Sequence, residues 1–170
     1  KRCVGIPGDS IQIIDGQLYV NGNKQASLST RQRNYAIVTN GTQINPMILD
    51  DLEISQEDRN AIEYQPGFYV LPLSDEKVER IKSLPNVINV QKNDRRAGER
   101  AEHIFPHNPK FNWNEFYFGP MYIPQKGKTI TITTENLPLY ERIIGYYENN
   151  KLEVKGNNIF INGVETTTYT

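Results

Sequence analysis

The sequence predicts a mainly β protein that carries an α+β insert. Three observations lead there: alternating strands joined by tight turns at the N-terminal end, the same pattern at the C-terminal end, and strands interleaved with capped helices between them. With 170 residues, 37% of them hydrophobic, and ten tyrosines, the chain has material for one ordinary domain or two small ones.

Taken in order, Ile6-Pro7-Gly8-Asp9 reads as a type II turn, with proline setting φ at its second position and glycine supplying a positive φ at its third. A short apolar strand with Val4 and Ile6 leads into it. Ser10-Ile11-Gln12-Ile13-Ile14 alternates out of it, Asp15-Gly16 turns, Leu18 and Val20 alternate on the returning strand, and Asn21-Gly22 turns again into Asn23-Lys24-Gln25. The middle has a different texture. Tyr35 to Thr39 is strand-like, and Ser55-Gln56-Glu57-Asp58 has capping-box spacing that predicts a helix to about Ile62. Gln65-Pro66-Gly67 breaks that helix before a strand at Phe68 to Leu71. Ser74 then caps a helix with acids in its first turn and Val78, Ile81 and Leu84 along one stripe; Pro85 closes it before a strand at Val87 to Val90. Residues 31–92 thus read as a small α+β module. Asp94 to Pro109 is polar, charged and proline-containing, the composition of a surface loop.

From Phe116 the chain is β again, with Pro124-Gln125-Lys126-Gly127 turning into Thr129 to Thr133. Asn136 is placed to cap a helix with Pro138 in its first turn, running to about Tyr147. Lys151 to Val154, a turn at Gly156-Asn157, Ile159 to Ile161, Asn162-Gly163 and a last strand over 164–170 repeat the grammar of the first hairpins. The repeat assigns both ends of the chain to one β-rich body.

Composition removes several classes of function. A net charge of −1 offers no field to draw nucleic acid, so a nucleic-acid partner is not expected. No stretch reaches the 18 or so apolar residues of a membrane span. Cys3 is the only cysteine, so it has no intrachain disulfide partner, and it reads as a small buried hydrophobe. His103 and His107 lie four apart, but Pro106 between them spoils a helical metal pair, and both read as surface residues. Asp50, Asp51 and Glu53 read as a solvated acidic face, and Asn40-Gly41-Thr42 is a glycosylation sequon only in a eukaryotic secretory setting. With no phosphate loop, dinucleotide fingerprint or zinc spacing, neither cofactor nor metal is expected. The aromatic group Phe111, Trp113, Phe116, Tyr117 and Phe118 is read as packing against the core in preference to lipid or peptide contact.

The opening residues carry the chemistry. Lys1-Arg2-x-x-Gly5-Ile6-Pro7-Gly8-Asp9, followed by a strand and Gly16-Gln17-Leu18-Tyr19-Val20-Asn21-Gly22, resembles the lysine-bearing box of bacterial signal peptidase I. That family comprises membrane-anchored serine proteases with a Ser-Lys dyad, and the likeness is close over residues 1–27. It implies that Lys1 is the general base and that Arg2, Gly5, Pro7, Gly8 and Asp9 support the box. A lysine does this work only when neutral, so burial has to lower its pKa; Val4 and Ile6 beside Lys1 suit a dry pocket.

The resemblance further implies residues 1–30 as catalytic core, 31–115 as an inserted α+β domain and 116–170 as the return to the core. The family's nucleophilic serine belongs upstream of the lysine in a Ser-Met-x-Pro setting. Its later Gly-Asp-x-Arg and Asp-Ser-Arg elements are absent here and would follow Thr170. Ser10, Ser27, Ser29, Ser55, Ser74 and Ser83 all lack the nucleophile's context, so the chain is expected to be an inactive fragment of such an enzyme. The implied partners are secretory preproteins and membrane lipid, and the implied location is the bacterial cytoplasmic membrane with the catalytic part on its outer face. Some Gram-negative relatives carry a disulfide in the insert, and the single cysteine departs from them. Two other readings stand beside this one: a self-cleaving repressor-type Ser-Lys peptidase, which lacks the Pro-Gly-Asp turn and a large insert, and a non-catalytic periplasmic or surface β-rich binding module.

Overall fold

Positive backbone angles at paired turn residues set the architecture. In the computed structural model, which describes residues 3–26, 31–60 and 67–170, Asp15 and Gly16 have φ of 47° and 67° and Asn21 and Gly22 have 52° and 77°. Such pairs match the twist of the strands they join, which is why Asp-Gly and Asn-Gly occupy them. The strands among the described residues are β1 (Ser10–Ile14), β2 (Gln17–Val20), β3 (Asn23–Lys24), β4 (Arg33–Thr39), β5 (Phe68–Leu73), β6 (Val87–Lys92), β7 (Phe118–Tyr122), β8 (Ile130–Thr131), β9 (Leu152–Lys155), β10 (Asn158–Ile161), β11 (Val164–Glu165) and β12 (Thr168–Tyr169). Four short helices accompany them: α1 (Pro46–Asp51), α2 (Gln56–Asn60), α3 (Asp75–Lys82) and α4 (Leu137–Arg142), the last continued by a π-helical turn at Ile143–Tyr147. The protein is mainly β, as its sequence predicts. It divides into two compact units, Lys1–Gln25 with Arg95–Thr170, and Ala26–Asp94.

In the first unit β1 pairs antiparallel with both β2 and β7, giving the sheet order β3-β2-β1-β7. A second sheet runs β11-β10-β9, and β8 pairs with β12. Its core is Ile132, Leu137, Leu139, Tyr140, Ile144 and Ile159, with Phe111, Trp113 and Met121 packed against it. The repeat seen in the sequence has a structural counterpart. Asn21 N–H donates to Ser10 O at 2.9 Å, Ser10 N–H donates to Asn21 Oδ1 at 2.8 Å, and Asn21 Nδ2 donates to Asp9 Oδ1 at 2.8 Å. At one constant offset along the chain, Asn162 N–H donates to Lys151 O at 2.8 Å, Lys151 N–H to Asn162 Oδ1 at 2.9 Å, and Asn162 Nδ2 to Asn150 Oδ1 at 2.8 Å. Both asparagines are left-handed, φ 52° and 53°, a region asparagine tolerates better than alanine. Asn21→Ala and Asn162→Ala are therefore expected to cost about the same, roughly 1–2 kcal/mol each in urea unfolding. A cost at one corner alone would show that the two are not equivalent.

Three local expectations change in this unit. The strand expected over 129–133 shortens to β8, because the Asn136 side chain turns back, accepting from Thr133 N–H and donating to Thr131 O, instead of capping the next helix. The expected helix to Tyr147 becomes α4 plus the π turn. The last strand over 164–170 splits into β11, paired with β10, and β12, paired with β8. Asp94 to Pro109 is the largely exposed loop its composition predicts, and it continues into a segment pinned from inside by Asn114. That side chain is fully buried, donating from Nδ2 to Arg96 O and Glu99 O and accepting at Oδ1 from the Phe116 and Tyr117 N–H groups. Beside it Phe111, Trp113 and Phe118 pack ring on ring at 4.7 and 4.5 Å.

In the second unit β4 lies between β5 and β6, all antiparallel. Alternation puts Tyr35 and Ile37 into a core with Leu71 and Leu73, closed by Leu49 of α1 and by Val78 and Ile81 of α3. The caps are those the sequence signals: Ser74 Oγ accepts from Lys77 N–H, and Ser55 Oγ accepts from Asp58 N–H while donating to the Asp58 carboxylate. The expected end of the second helix at Ile62 lies outside the described residues. α1 was not legible in the sequence; Asn45 caps it by accepting from Met47 N–H. The acidic cluster is ion-paired as well as solvated, with Asp50 on Arg59 at 2.7 Å, Asp51 on Arg80 at 3.2 Å and Glu53 near Lys77 at 3.8 Å.

Arg33, opening β4, and Asp94, just after β6, form an ion pair with side chains only 11% and 9% exposed. Asn93 N–H adds a bond to Asn34 O at 2.8 Å. Asp94→Ala strips the carboxylate from a buried guanidinium and is expected to cost about 3 kcal/mol by circular dichroism in urea. The paired replacement Arg33→Met/Asp94→Leu should cost clearly less.

Candidate functional site

Lys1 and Arg2 lie outside the described residues; the structure describes what is built behind them. The Pro7-Gly8 turn is closed by Asp9 N–H donating to Ile6 O at 3.0 Å, with Gly8 at φ 98°. Asp9 then locks it. Its Oδ2 accepts from Ile6 N–H at 2.9 Å and its Oδ1 accepts from Asn21 Nδ2 at 2.8 Å, so one carboxylate ties the turn to the hairpin corner. Gly8 N–H donates to Ile123 O and Ile123 N–H to Asp9 O, extending the β1–β7 pairing past the turn.

Gly5 is needed for a different reason. A Cβ there would stand 2.6 Å from Ile11 Cδ1 and 2.9 Å from Ile123 Cδ1, so only a hydrogen fits without those isoleucines moving. Pro7 presets the turn's φ. Of the sequence-derived support residues, Gly5, Pro7, Gly8 and Asp9 are thus gathered around one turn, each for its own physical reason.

Two expectations about the approach to the turn are corrected. Residues 3–6 form no strand, and Val4 and Ile6 are 53% and 64% exposed, so they do not wall a dry pocket. The inward position of this segment is held by Gly5 against Ile11 and Ile123, which leaves its neighbours facing out. Cys3 is exposed rather than buried, its thiol donating to Gly5 O.

The remaining candidates have structural roles or lie elsewhere. Ser55 and Ser74 cap helices, Ser83 Oγ donates to Arg80 O, and Ser27 and Ser29 are outside the described residues. His103 and His107 are exposed, the first on Glu115 at 2.9 Å and the second against Glu102 O. The residues that sequence reasoning missed are Asn21, Ile123 and Gln125, whose Oε1 would meet a Gly8 Cβ at 3.0 Å. Asn21 was visible only as a turn former, and nothing local links residues 123–125 to residues 5–9.

Comparison with known proteins gives a family match. A family model described as signal peptidase, peptidase S26, matches residues 1–70, the part of the chain that begins with Lys1 and holds the clamped turn and the first hairpins. The chain is similar to that family over this stretch. No curated protein and no solved structure matches it. Among the described residues no helix is long and apolar enough to cross a membrane.

Proposed function

We propose that this chain is part of a bacterial signal-peptidase-type serine endopeptidase in which Lys1 is the general base. The nucleophilic serine comes from outside residues 1–170, and the two form a Ser-Lys dyad. In this reading the enzyme is tethered to the cytoplasmic membrane and removes signal peptides from secretory preproteins after small-x-small residues on its outer face. Lys1 takes the serine's proton, the alkoxide attacks the scissile carbonyl, and fixed donors hold the oxyanion. The residues described here supply rigidity: Asp9, Asn21 and Ile123 fix the turn that follows the lysine, and Gly5 lets it lie on Ile11.

The observation that carries the reading is the signal peptidase match over the segment with the lysine and its turn. The test is preprotein cleavage by the protein encoded by the whole gene. Lys1→Ala should abolish cleavage and leave the circular dichroism unchanged. Cleavage retained in that variant overturns the assignment.

A further inference from the structure

The dipeptide Asn-Gly occurs three times in the sequence, at Asn21-Gly22, Asn40-Gly41 and Asn162-Gly163. An asparagine so placed is prone to lose its side-chain amide, because a glycine carries no side chain to shield the backbone nitrogen that attacks it. Exposure does not rank the three, since both residues of every pair lie on the surface. Their hydrogen bonds do.

Asn21 and Asn162 are held at both ends of the amide. Oδ1 accepts from the N–H of Ser10 in one and of Lys151 in the other, and Nδ2 donates to Asp9 Oδ1 and Asn150 Oδ1 respectively, all at 2.8 or 2.9 Å. Each also sits left-handed in a turn between paired strands. Asn40 is held at one end only. Its Oδ1 accepts from Thr42 N–H at 3.0 Å, while its Nδ2 and the Gly41 N–H have no partner among the described residues. Nothing stands within 4 Å of where a Gly41 Cβ would be, so the attacking nitrogen is open on that side. Asn86 clamps the loop around this pair: its backbone O accepts from Asn40 N–H at 2.9 Å, and its Nδ2 donates to Thr42 O at 3.1 Å and Gln43 O at 3.2 Å. None of these bonds uses a reacting group.

We propose that Asn40 is the site at which the folded protein deamidates, and that the locked amides of Asn21 and Asn162 are spared. The Gly41 nitrogen bonds to Asn40 Cγ and gives up its proton, and the Cγ–Nδ2 bond breaks to release ammonia. Water then opens the cyclic imide at either of its carbonyls, leaving aspartate or isoaspartate. Negative charge gathers on Oδ1 during the attack, and the Thr42 N–H donates to that atom. At Asn21 and Asn162 the amide must first break its bonds, so only a small fraction of molecules is competent to react. The product carries a new negative charge just after β4, and isoaspartate also lengthens the main chain inside the span that Asn86 clamps.

Peptide mapping by mass spectrometry tests this on the full-length protein held at mildly alkaline pH, folded and in urea. Trypsin separates the three sites: residues 34–59 carry Asn40, Cys3 to Lys24 carry Asn21, and the peptide that follows Lys155 carries Asn162. In the folded protein Asn40 should turn acidic at least about tenfold faster than either of the others. In urea, where the bonds that set them apart are gone, the three rates should converge to within about threefold. Asn40→Gln should abolish the fast conversion. Asn150→Ala, which frees Asn162 Nδ2, should speed conversion at Asn162 about threefold or more in the folded protein. Equal rates at the three sites when folded, faster conversion at Asn21 or Asn162 than at Asn40, or an Asn162 rate unmoved by Asn150→Ala overturns the proposal. So does an Asn40 that stays intact in folded protein while all three sites react in urea.

Discussion

Lys1→Arg, which keeps the positive charge, is expected to lose preprotein cleavage by about 10²- to 10⁴-fold, the usual worth of a positioned general base. Ion pairing and hydrogen-bond donation survive this exchange, at least in part. Proton abstraction does not, because a guanidinium stays charged at any pH an enzyme meets. The comparison therefore separates a base from a structural cation: if arginine restores most of the cleavage lost with alanine, the residue is a cation and the dyad is wrong. The same logic gives the pH dependence. A lysine base works only when neutral, so cleavage should rise with pH through the lysine's pKa and fall away below it. A cleavage rate flat across that range would contradict the role.

Asn114→Ala is expected to cost about 4 kcal/mol or more. The amide serves four backbone groups at once, the carbonyls of Arg96 and Glu99 and the N–H groups of Phe116 and Tyr117, and it is fully buried. Each backbone group left without a partner costs roughly 1–3 kcal/mol. Asn114→Asp keeps the two acceptor contacts and sets a carboxylate against two carbonyls, so it should be nearly as damaging. Trp113 is the chain's single tryptophan and stacks next door, so its fluorescence in urea reads the event where it happens. A cost under 1 kcal/mol would mean that the loop is held by its aromatic rings instead.

What could be read in advance was whatever chemistry is local. Asp15-Gly16, Asn21-Gly22 and Asn162-Gly163 announce their hairpins because the turn geometry selects those residues within two positions. Ser55 and Ser74 announce helices because a cap reaches only three residues ahead. The Pro7-Gly8 turn was legible for the same reason, down to the glycine at φ 98°. What escaped depends on partners far along the chain. Nothing near Gly5 says that Ile123 will press on it, and nothing near Asn114 says that its amide will be enclosed. Val4 and Ile6 misled for a related reason: hydrophobic residues flanking a glycine look like a buried strand until the glycine proves to be the inward-facing member. The π turn departs from the usual helical spacing, and residues 143–147 read as plain helix in advance.

The buried pairing of Arg33 with Asp94 ties the start of β4 to the segment that follows β6, inside the α+β unit. Lengthening a loop closed by such a pair adds only slowly to the entropy lost. The surface turns between those two side chains can therefore lengthen at small cost, as long as the core of Tyr35, Ile37, Leu71 and Ile81 that they join is kept.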